Sequence, residues 1–366
     1  MDKIQYLSNE TVHDLLINLN KDETLAFKST IEKTLLDFSA GEERRYQPDP
    51  SAVTRPNGAR TLFRPFTSDQ SVGAKLVVEP PTRADGKKDP LRGILLLLDG
   101  LGNPTGILGA EEVTGYRTSM NVMVPFCWRK NVDKIVIFGG GMQALWHTRL
   151  ILALRGHEVR AITYVNPFKD QIDTLIATVS RENAARWKSN CSFHFINSNT
   201  ENSQQLIRTC LSDADCVFCT TPSRKPLFPS SYLTNQRSEN RQPFISAIGS
   251  WQSDMIELDP ALMHHALIAD GGYNPHNGQS KGVVLVDDRD YALANSGEVV
   301  QSKLGAHDMA ELGQILATRT AEGQPDQTHR FISEGFIVYK SIGVSLTDLT
   351  IANAVLALRQ KKQHHL

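Results

Sequence analysis

The sequence has little of several features that would restrict its function at once. Its five cysteines in 366 residues are an odd number without framework spacing, which argues against a disulfide scaffold and indicates a reducing, cytoplasmic location. The longest purely aliphatic run, Ile94 to Leu98, is too short to cross a bilayer. No basic patch followed by an apolar stretch opens the chain, so no signal peptide is expected. A formal net charge of −1 gives no reason to expect nucleic acid or a membrane as partner.

One pair of cysteines is closely spaced, in the segment DCVFCTT. Cys216 and Cys219 have the spacing of a zinc or redox CxxC motif, but the apolar residues around them are typical of a buried strand. We interpret the segment as a strand and predict no metal site.

The hydrophobic pattern changes along the chain. Residues 1 to about 46 have a helical pattern, and a Pro-rich connector leads to the strand-like segments RTLFRPF, GAKLVVEPP, GILLLLDG and TGILGA and to a helix from about Glu111 to Trp128. From Asp133, strands alternate with helices: KIVIFG, EVRAITYV, SFHFIN, CVFCTT, PFISAIG, ALIAD and then VVLVDDR. This alternation predicts an α/β domain with a doubly wound parallel sheet. The last helix is predicted to open with a capping box of Ser345 and Asp348.

A glycine turn follows the first strand of the alternating region. Gly139, Gly141 and Ala144 form a G-x-G-x-x-A pattern between a clear strand and a clear helix. The first glycine permits the tight turn, the second lets a pyrophosphate approach the backbone, and the alanine lets the helix pack on the strand. The phosphates would lie at the positive end of the helix. The turn therefore predicts a dinucleotide site in preference to a ligand-free corner.

The residue at the end of the next strand indicates which dinucleotide is bound. NAD-binding folds place a carboxylate there to accept hydrogen bonds from the ribose. This chain has Val165, Asn166 and Pro167 in that region, with Lys169 nearby and no acid to repel a 2′-phosphate. We predict NADPH as the cofactor, with NADH as the alternative.

An arginine occupies an apolar helix face ahead of the glycine turn. Val113, Arg117, Met120 and Val124 are spaced by four, three and four residues and share one side. A buried guanidinium needs an anion, which is either a structural carboxylate or the carboxylate of a substrate. Arg55 and Lys75 add two cations in the same region of the chain, and the three together indicate a carboxylate site.

Seven segments of the chain occur together in a recognisable order: GAKLV, EEVTGYRTSM, GGGMQALWH, CTTPSRKPLF, AIGSWQSDMIELD, AELGQIL and KSIGVSLTDL. In these segments and their order the sequence resembles the ornithine cyclodeaminase/mu-crystallin family, with a likeness to its ketimine reductases. The resemblance implies a Rossmann-type dinucleotide-binding domain over residues 121–334. It also implies a second, α+β domain for substrate binding and dimerisation, built from both chain ends, residues 1–120 and 335–366. The expected assembly is a homodimer.

The resemblance also implies roles for individual residues. The substrate carboxylate would be bound by Arg55, Lys75 and Arg117. The cofactor would be contacted by a larger set: Gly139, Gly141, Met142, Gln143, Asn166, Thr118, Thr220, Thr221, Ile248 and Gly343. The sequence departs from the family at Trp251, which stands where cyclodeaminases and related alanine dehydrogenases have an aspartate that takes protons from the substrate amine. Asp254, three residues later, is expected mainly at a helix N-terminus.

These features predict an NAD(P)H-dependent oxidoreductase that reduces an imine carrying a carboxylate, a ketimine or imino acid, to an amino acid. An iminium is already electrophilic, so reduction tolerates the loss of the aspartate better than amine oxidation does, and Trp251 can stack on the planar substrate. The first alternative is a cyclodeaminase, a lyase that converts a diamino acid to a cyclic imino acid and releases ammonia. The second is a non-catalytic protein that uses NADPH to shape a pocket for a small ligand.

Overall fold

The computed structural model describes residues 4–81, 83, 89–234, 241–250, 252–275, 277–320 and 326–364. The chain forms two units. The first comprises Met1–Arg117 and Val344–Leu366, and the second comprises Thr118–Gly343. Both ends of the chain therefore belong to the first unit, and the boundary between the units falls inside a helix.

The first unit is built on a six-stranded mixed sheet. Its strands are β1 (Gln5–Leu7), β2 (Ser51–Thr54), β3 (Arg60–Thr67), β4 (Ser71–Glu79), β5 (Arg92–Asp99) and β6 (Pro104–Gly109). They lie in the order β1-β6-β5-β4-β3-β2, and every pair is antiparallel except the parallel pair of β1 and β6. Its helices are α1 (Asn9–Ile17), α2 (Lys21–Ser39), α3 (Ala110–Phe126), which continues into the second unit, and a last helix over Leu346–His364.

The last helix packs against this sheet and against α2. Leu356 lies so close to β6 that a Cβ added at Gly106 would sit 2.8 Å from its side chain. The hydroxyls of Thr34 and Thr350 are 2.9 Å apart, which joins the last helix to α2. The face of β4 toward these helices is buried at Ser71, Gly73 and Lys75, because alternate residues of a strand point to the same side.

The second unit contains an eight-stranded sheet that is parallel throughout. Its strands are β7 (Lys134–Phe138), β8 (Ala161–Asn166), β9 (Ser192–Asn197), β10 (Cys216–Cys219), β11 (Phe244–Ala247), β12 (Val284–Val286), β13 (Met309–Glu311) and β14 (Ile337–Lys340). Their order is β13-β12-β14-β11-β10-β7-β8-β9. The strand order reverses at β7, as in doubly wound folds. The predicted α/β class with a Rossmann-type parallel sheet is confirmed, and the sheet of the first unit is mixed.

Helices connect the strands of the second unit. They are α4 (Met142–Arg155), α5 (Lys169–Glu182), α6 (Ser203–Ser212), α7 (Ser231–Thr234), α8 (Pro260–Ile268), α9 (Arg289–Asn295), α10 (Gly297–Ser302), α11 (Leu312–Thr320) and α12 (Asp326–Glu334), so that the last helix of the chain is α13. Every residue of the central strands β10, β11 and β14 is buried, as expected for strands covered on both faces. Cys216 and Cys219 are free thiols three residues apart in β10, where they point to opposite faces.

Several local predictions were wrong. The segment ALIAD is the end of helix α8 and not a strand, because Asp259 caps the backbone N–H of Ala261 and Pro260 occupies the first turn, both of which favour a helix start. The short strands β1, β13 and β14 were not predicted. Strand β2 lies inside the segment interpreted as a connector, where its pairing with β3 and not its own composition makes it a strand. Among the described residues, no helix is long and apolar enough to cross a membrane.

Candidate functional site

A buried ionic cluster forms where α3, β4 and α13 meet. Asp348 of α13 accepts a hydrogen bond from Lys75 Nζ at 2.7 Å on one carboxylate oxygen and from Arg117 Nε at 2.9 Å on the other. The three side chains are 0–4% exposed. The Nζ of Lys75 is also 3.3 Å from Thr114 Oγ1. Helix α13 begins at Leu346, directly after Ser345 as predicted, with Asp348 in its first turn. The Asp348 carboxylate binds Lys75 and Arg117, however, and not the backbone as the predicted capping box would require.

The cluster changes the protonation of its members. Burial lowers the pKa of Lys75 to about 7, although the neighbouring Asp348 carboxylate opposes the change. Burial alone would raise the pKa of Asp348, but the charges of Arg117 and Lys75 outweigh it and hold that pKa below its usual value. Lys75 can therefore lose its proton near neutral pH, whereas Asp348 stays ionised.

Positive charge exceeds negative charge in this cluster. Arg64 pairs with Lys75 across the β3–β4 ladder, so its side chain starts on the same face of the sheet. Its charge contributes to lowering the pKa values of both Lys75 and Asp348. Two buried cations, Lys75 and Arg117, thus share a single carboxylate, and Nη1 of Arg117 has no hydrogen-bond partner among the described residues. This surplus suits a second anion.

The predicted carboxylate cations are brought together only in part. Lys75 and Arg117 share Asp348, but Arg55 lies on the exposed turn between β2 and β3, where its backbone N–H donates a hydrogen bond to Ala59 O at 2.8 Å. That turn lies beyond Arg60, the first residue of β3. Arg60 is four residues from Arg64, the residue opposite Lys75, so the two positions are roughly 13 Å apart along the strand. Arg64 occupies the nearer position, and sequence reasoning missed it.

Sequence reasoning also missed Asp348 as an ion-pair partner. The available signal was a lone acid in an otherwise apolar and neutral stretch, SLTDLTIANAVLA, of a helix that packs against the sheet. A carboxylate at such a position needs a cation, just as Arg117 needs an anion. The stripe that carries Arg117 is itself buried, since Val113, Met120 and Val124 are inaccessible to solvent.

The glycine turn of the second unit has room for a ligand. Gly139 adopts a φ of +115°, which favours glycine, and a Cβ there would lie 2.5 Å from Thr220 Oγ1. At Gly141 a Cβ would meet nothing within 4 Å. Gly141 precedes the first residue of α4, Met142, which is exposed. The open position at the start of a 14-residue helix fits a pyrophosphate.

Polar side chains of α3 and α4 form hydrogen bonds next to this turn. Ser119 Oγ lies 2.9 Å from His147 Nδ1 and 3.3 Å from Gln143 Oε1. Burial lowers the pKa of His147 to about 4, so its ring is neutral at physiological pH. Thr118, half-buried, precedes Ser119 on α3. These contacts order the first turn of α4, where Gln143 lies.

The end of β8 carries no acid. Asn166 is buried, and its Oδ1 accepts a hydrogen bond from Phe168 N at 2.7 Å, while its Nδ2 lies 3.3 Å from Gln171 Oε1. The amide thus shapes the turn between β8 and α5. Lys169 forms a 2.5 Å ion pair with Asp173 one helical turn away.

Three further turns follow the carboxyl ends of neighbouring strands. Thr220 and Thr221 follow β10, Ile248 follows β11, and Gly343 follows β14 with a φ of +91°. The hydroxyl of Thr220 donates to Phe138 O at 2.7 Å. All these positions lie at one edge of the parallel sheet, the edge where doubly wound folds bind ligands.

The turn that contains Gly343 is held by a buried carboxylate. Asp287 accepts hydrogen bonds from the hydroxyl of Ser341 at 2.7 Å, from Ile342 N at 2.9 Å and from Gly343 N at 2.8 Å. Asp287 was not predicted from the sequence, where it reads only as the end of a strand.

The position of the missing aspartate is described only in part. Trp251 lies outside the described residues. Asp254 is in a turn and forms an exposed 3.0 Å ion pair with Arg224, so the expectation that it stands at a helix N-terminus was wrong. The helix that follows begins with Asp259 as its cap, because Pro260 sets the backbone for a helix start.

The sequence and the fold both match known proteins. A protein named Delta(1)-pyrroline-2-carboxylate reductase from Colwellia psychrerythraea is 22% identical over 96% of this chain and 98% of its own. An uncharacterized cyclodeaminase from Dictyostelium discoideum is 24% identical over 80% of this chain and 77% of its own. A solved Thermococcus litoralis Delta(1)-pyrroline-2-carboxylate reductase, in complex with NADH and L-proline, superposes with a TM-score of 0.74 at 16% identity and covers 98% of both chains.

The strongest assignment comes from the family as a whole. Residues 18–362, nearly the entire chain, match the family described as ornithine cyclodeaminase/mu-crystallin, which confirms the resemblance predicted from the motifs. The protein belongs to the ornithine cyclodeaminase/mu-crystallin family.

Proposed function

We propose that the protein is an NAD(P)H-dependent oxidoreductase that reduces a carboxylate-bearing imine to an amino acid. The observation that carries this proposal is the surplus of buried positive charge around Asp348, where Lys75 and Arg117 share one carboxylate. An imino acid would supply the second carboxylate. The names of two relatives support the reaction, since both are Delta(1)-pyrroline-2-carboxylate reductases.

The residues of the second unit fit a nicotinamide dinucleotide. The open space at Gly141 and the start of α4 suit a pyrophosphate, and the half of the sheet that includes β8 would take the adenosine. We propose NADPH as the preferred form, because Asn166 presents an amide where a carboxylate would repel a 2′-phosphate. The solved relative in complex with NADH supports a nicotinamide cofactor.

When bound, the cofactor supplies a hydride. The protein's own residues bind and orient the substrate. Arg117 and protonated Lys75 hold the carboxylate, which fixes the adjacent C=N carbon in one place and removes most of the entropy cost of the encounter. A substrate that arrives as an iminium already carries the proton on nitrogen, so one hydride completes the reduction and no acid from the protein is required.

The test is oxidation of NADPH, and separately of NADH, with a panel of cyclic and acyclic imino acids. Arg117→Lys keeps the charge but loses the planar fork of donors. We expect it to lower kcat/KM by about 10²-fold or more, because a Lys that pairs with Asp348 cannot also reach the ligand. The matched control is Arg149→Lys, since Arg149 is another buried arginine, paired with Glu182 at 2.7 Å in the second unit. An Arg117→Lys variant with unchanged kcat/KM would show that Arg117 serves only Asp348.

A cyclodeaminase is the second candidate, favoured by the cyclodeaminase name of the Dictyostelium relative. That reaction begins with removal of hydride from an amine-bearing carbon and requires a base for the ammonium group. Asp254 does not fit this role, because it is exposed and paired with Arg224. Incubation with ornithine or lysine and catalytic NAD⁺ distinguishes the candidates. The lyase releases ammonia without net change in the cofactor, the reductase consumes NAD(P)H, and a non-catalytic binding protein does neither.

We also propose that the protein is a homodimer formed through the sheet of the first unit. The face opposite Lys75 is apolar and open: Phe63, Leu76 and Ile94 pair across β3, β4 and β5, and Phe63 and Ile94 remain 39% and 37% exposed. On the same face, Val72 and Val78 are 40% and 46% exposed. A contiguous apolar surface of this kind is typical of an interface.

A further inference from the structure

A fully buried carboxylate joins two turns at the ligand edge of the parallel sheet. Glu257 Oε1 accepts hydrogen bonds from Thr221 N at 2.6 Å and from Thr221 Oγ1 at 2.9 Å. Its Oε2 accepts a hydrogen bond from Gly249 N at 2.7 Å. One side chain thus fastens the turn after β10 to the turn after β11. The hydroxyl of Thr221 points to Glu257, so its proton is used inside the protein.

The two turns are pressed together. A Cβ added at Gly249 would lie 1.8 Å from Thr221 O and 2.9 Å from the carboxyl carbon of Glu257, so no larger residue fits there. Movement of one turn must therefore displace the other or break the bonds to Glu257.

Other buried charges hold Glu257 in place. Its backbone N–H donates to Glu298 Oε1 at 2.7 Å. Lys340 at the end of β14 donates to Ser250 Oγ at 2.7 Å and to Ala247 O at 3.2 Å, and its Nζ is 3.5 Å from Glu298 Oε2. Glu257, Glu298 and Lys340 are all inaccessible to solvent. Such a cluster is costly to bury and tolerates little rearrangement, so it fixes the ends of β11 and β14 relative to each other.

The position of these turns assigns them to one half of the cofactor. Strands β8 and β9 lie on one side of β7, and β10, β11 and β14 lie on the other. Doubly wound folds bind one mononucleotide on each half of the sheet. With the adenosine at Asn166 after β8, the turns at Thr221 and Gly249 belong to the nicotinamide half.

We propose that Glu257 is a positioning residue that holds the turns at Thr221 and Gly249 in the conformation that receives the nicotinamide half of the cofactor. The inference rests on the proposed function, because it assumes a nicotinamide dinucleotide. Glu257 acts through the two turns. Burial raises the pKa of Glu257 to about 7. In its ionised form the carboxylate offers acceptors to three donors, whereas a glutamine would turn an N–H group toward either Thr221 or Gly249.

The experiment compares binding of a whole dinucleotide with binding of a fragment that lacks the nicotinamide riboside. The probes are NADPH and adenosine 2′,5′-bisphosphate, or NADH and ADP if the wild type prefers NADH, titrated into the full-length protein. In Glu257→Gln we expect affinity for the dinucleotide to fall about tenfold or more, a loss of roughly one charged hydrogen bond, with the fragment bound as in the wild type. A general structural defect would weaken both. Glu257→Asp keeps the carboxylate, and we expect its affinity for the dinucleotide to lie between those of the wild type and Glu257→Gln.

Glu182→Gln is the matched control, since Glu182 is a carboxylate of the same unit that pairs with buried Arg149 and touches neither turn. Its ratio of dinucleotide to fragment affinity should match the wild type. Equal ratios in Glu257→Gln and the wild type would overturn the inference while leaving the proposed function intact. A wild type that binds neither dinucleotide would overturn both. If Glu257→Gln does not fold, the ratio in Glu257→Asp decides, and an unchanged ratio there rejects the inference.

Discussion

Asp348 bridges two cations that come from distant parts of the chain: its carboxylate lies 2.7 Å from Lys75 Nζ and 2.9 Å from Arg117 Nε. The pair of contacts explains how α3, β4 and α13 carry buried charges at one place. It also leaves the cluster with more positive than negative charge, which is the basis for proposing a carboxylate substrate.

Replacement of Asp348 should be costly for stability. Asp348→Asn leaves Lys75 and Arg117 buried without their counter-charge, and we expect the free energy of unfolding to fall by about 3–5 kcal/mol. Urea unfolding followed by circular dichroism measures the change. Asp173→Asn, which breaks an exposed ion pair with Lys169, is the control and should have little effect. Equal stability of the two variants would contradict a structural role for the buried carboxylate.

The activity should depend on the protonation of Lys75. Its pKa of about 7 makes Lys75 cationic below pH 7 and neutral above, and a neutral amine cannot pair with a substrate carboxylate. We therefore expect kcat/KM to fall as pH rises from 7 to 9. Lys75→Arg keeps its positive charge over that range, so its profile of kcat/KM against pH should be flatter. Both enzymes are assayed with the same imino acid, so that titration of the substrate affects both profiles equally. Superimposable profiles would exclude Lys75 as the titrating group.

The glycine turn can be tested with two substitutions that differ in their cost to the fold. Gly141→Val places its side chain in open space, so the protein should fold normally and lose dinucleotide binding. Gly139→Val meets Thr220 Oγ1 and strains a φ of +115°, so it should lower stability as well. Quenching of NADPH fluorescence reports the affinity and thermal denaturation reports stability. Normal NADPH affinity in Gly141→Val would mean that the phosphates bind elsewhere.

Cofactor preference should depend on Asn166. We expect the wild type to bind NADPH more tightly than NADH, and Asn166→Asp to weaken NADPH binding because a carboxylate would repel the 2′-phosphate. Titration of the wild type and of Asn166→Asp with NADPH and with NADH gives the four affinities. Tighter binding of NADH by the wild type would reverse the predicted preference.

The proposed homodimer should depend on the open face of the sheet in the first unit. Leu76→Asp places a charge between Phe63 and Ile94 and should shift the protein to monomers in analytical ultracentrifugation. Gln70→Asp, in the exposed turn before β4, is the control. A Leu76→Asp variant with the sedimentation of the wild type would place the interface on another surface, or show that none forms.

The sequence by itself determined the family, the parallel sheet and the glycine turn, because each depends on residues that are close together in the chain. The apolar runs of β7, β10 and β11 and the G-x-G-x-x-A pattern are local signals whose meaning does not depend on distant partners. The segment ALIAD shows the limit of such signals, since a short apolar run fits a strand or the end of a helix equally well, and here the cap at Asp259 decided it.

Only the tertiary structure decided how the buried charges pair. Lys75 and Arg117 are 273 and 231 residues from Asp348 in the chain, so no spacing rule connects them. The same holds for Glu257, whose acceptors bind Thr221 36 residues earlier. A buried charge requires a partner, which the sequence can state, but the identity of that partner follows from which helix packs on which strand.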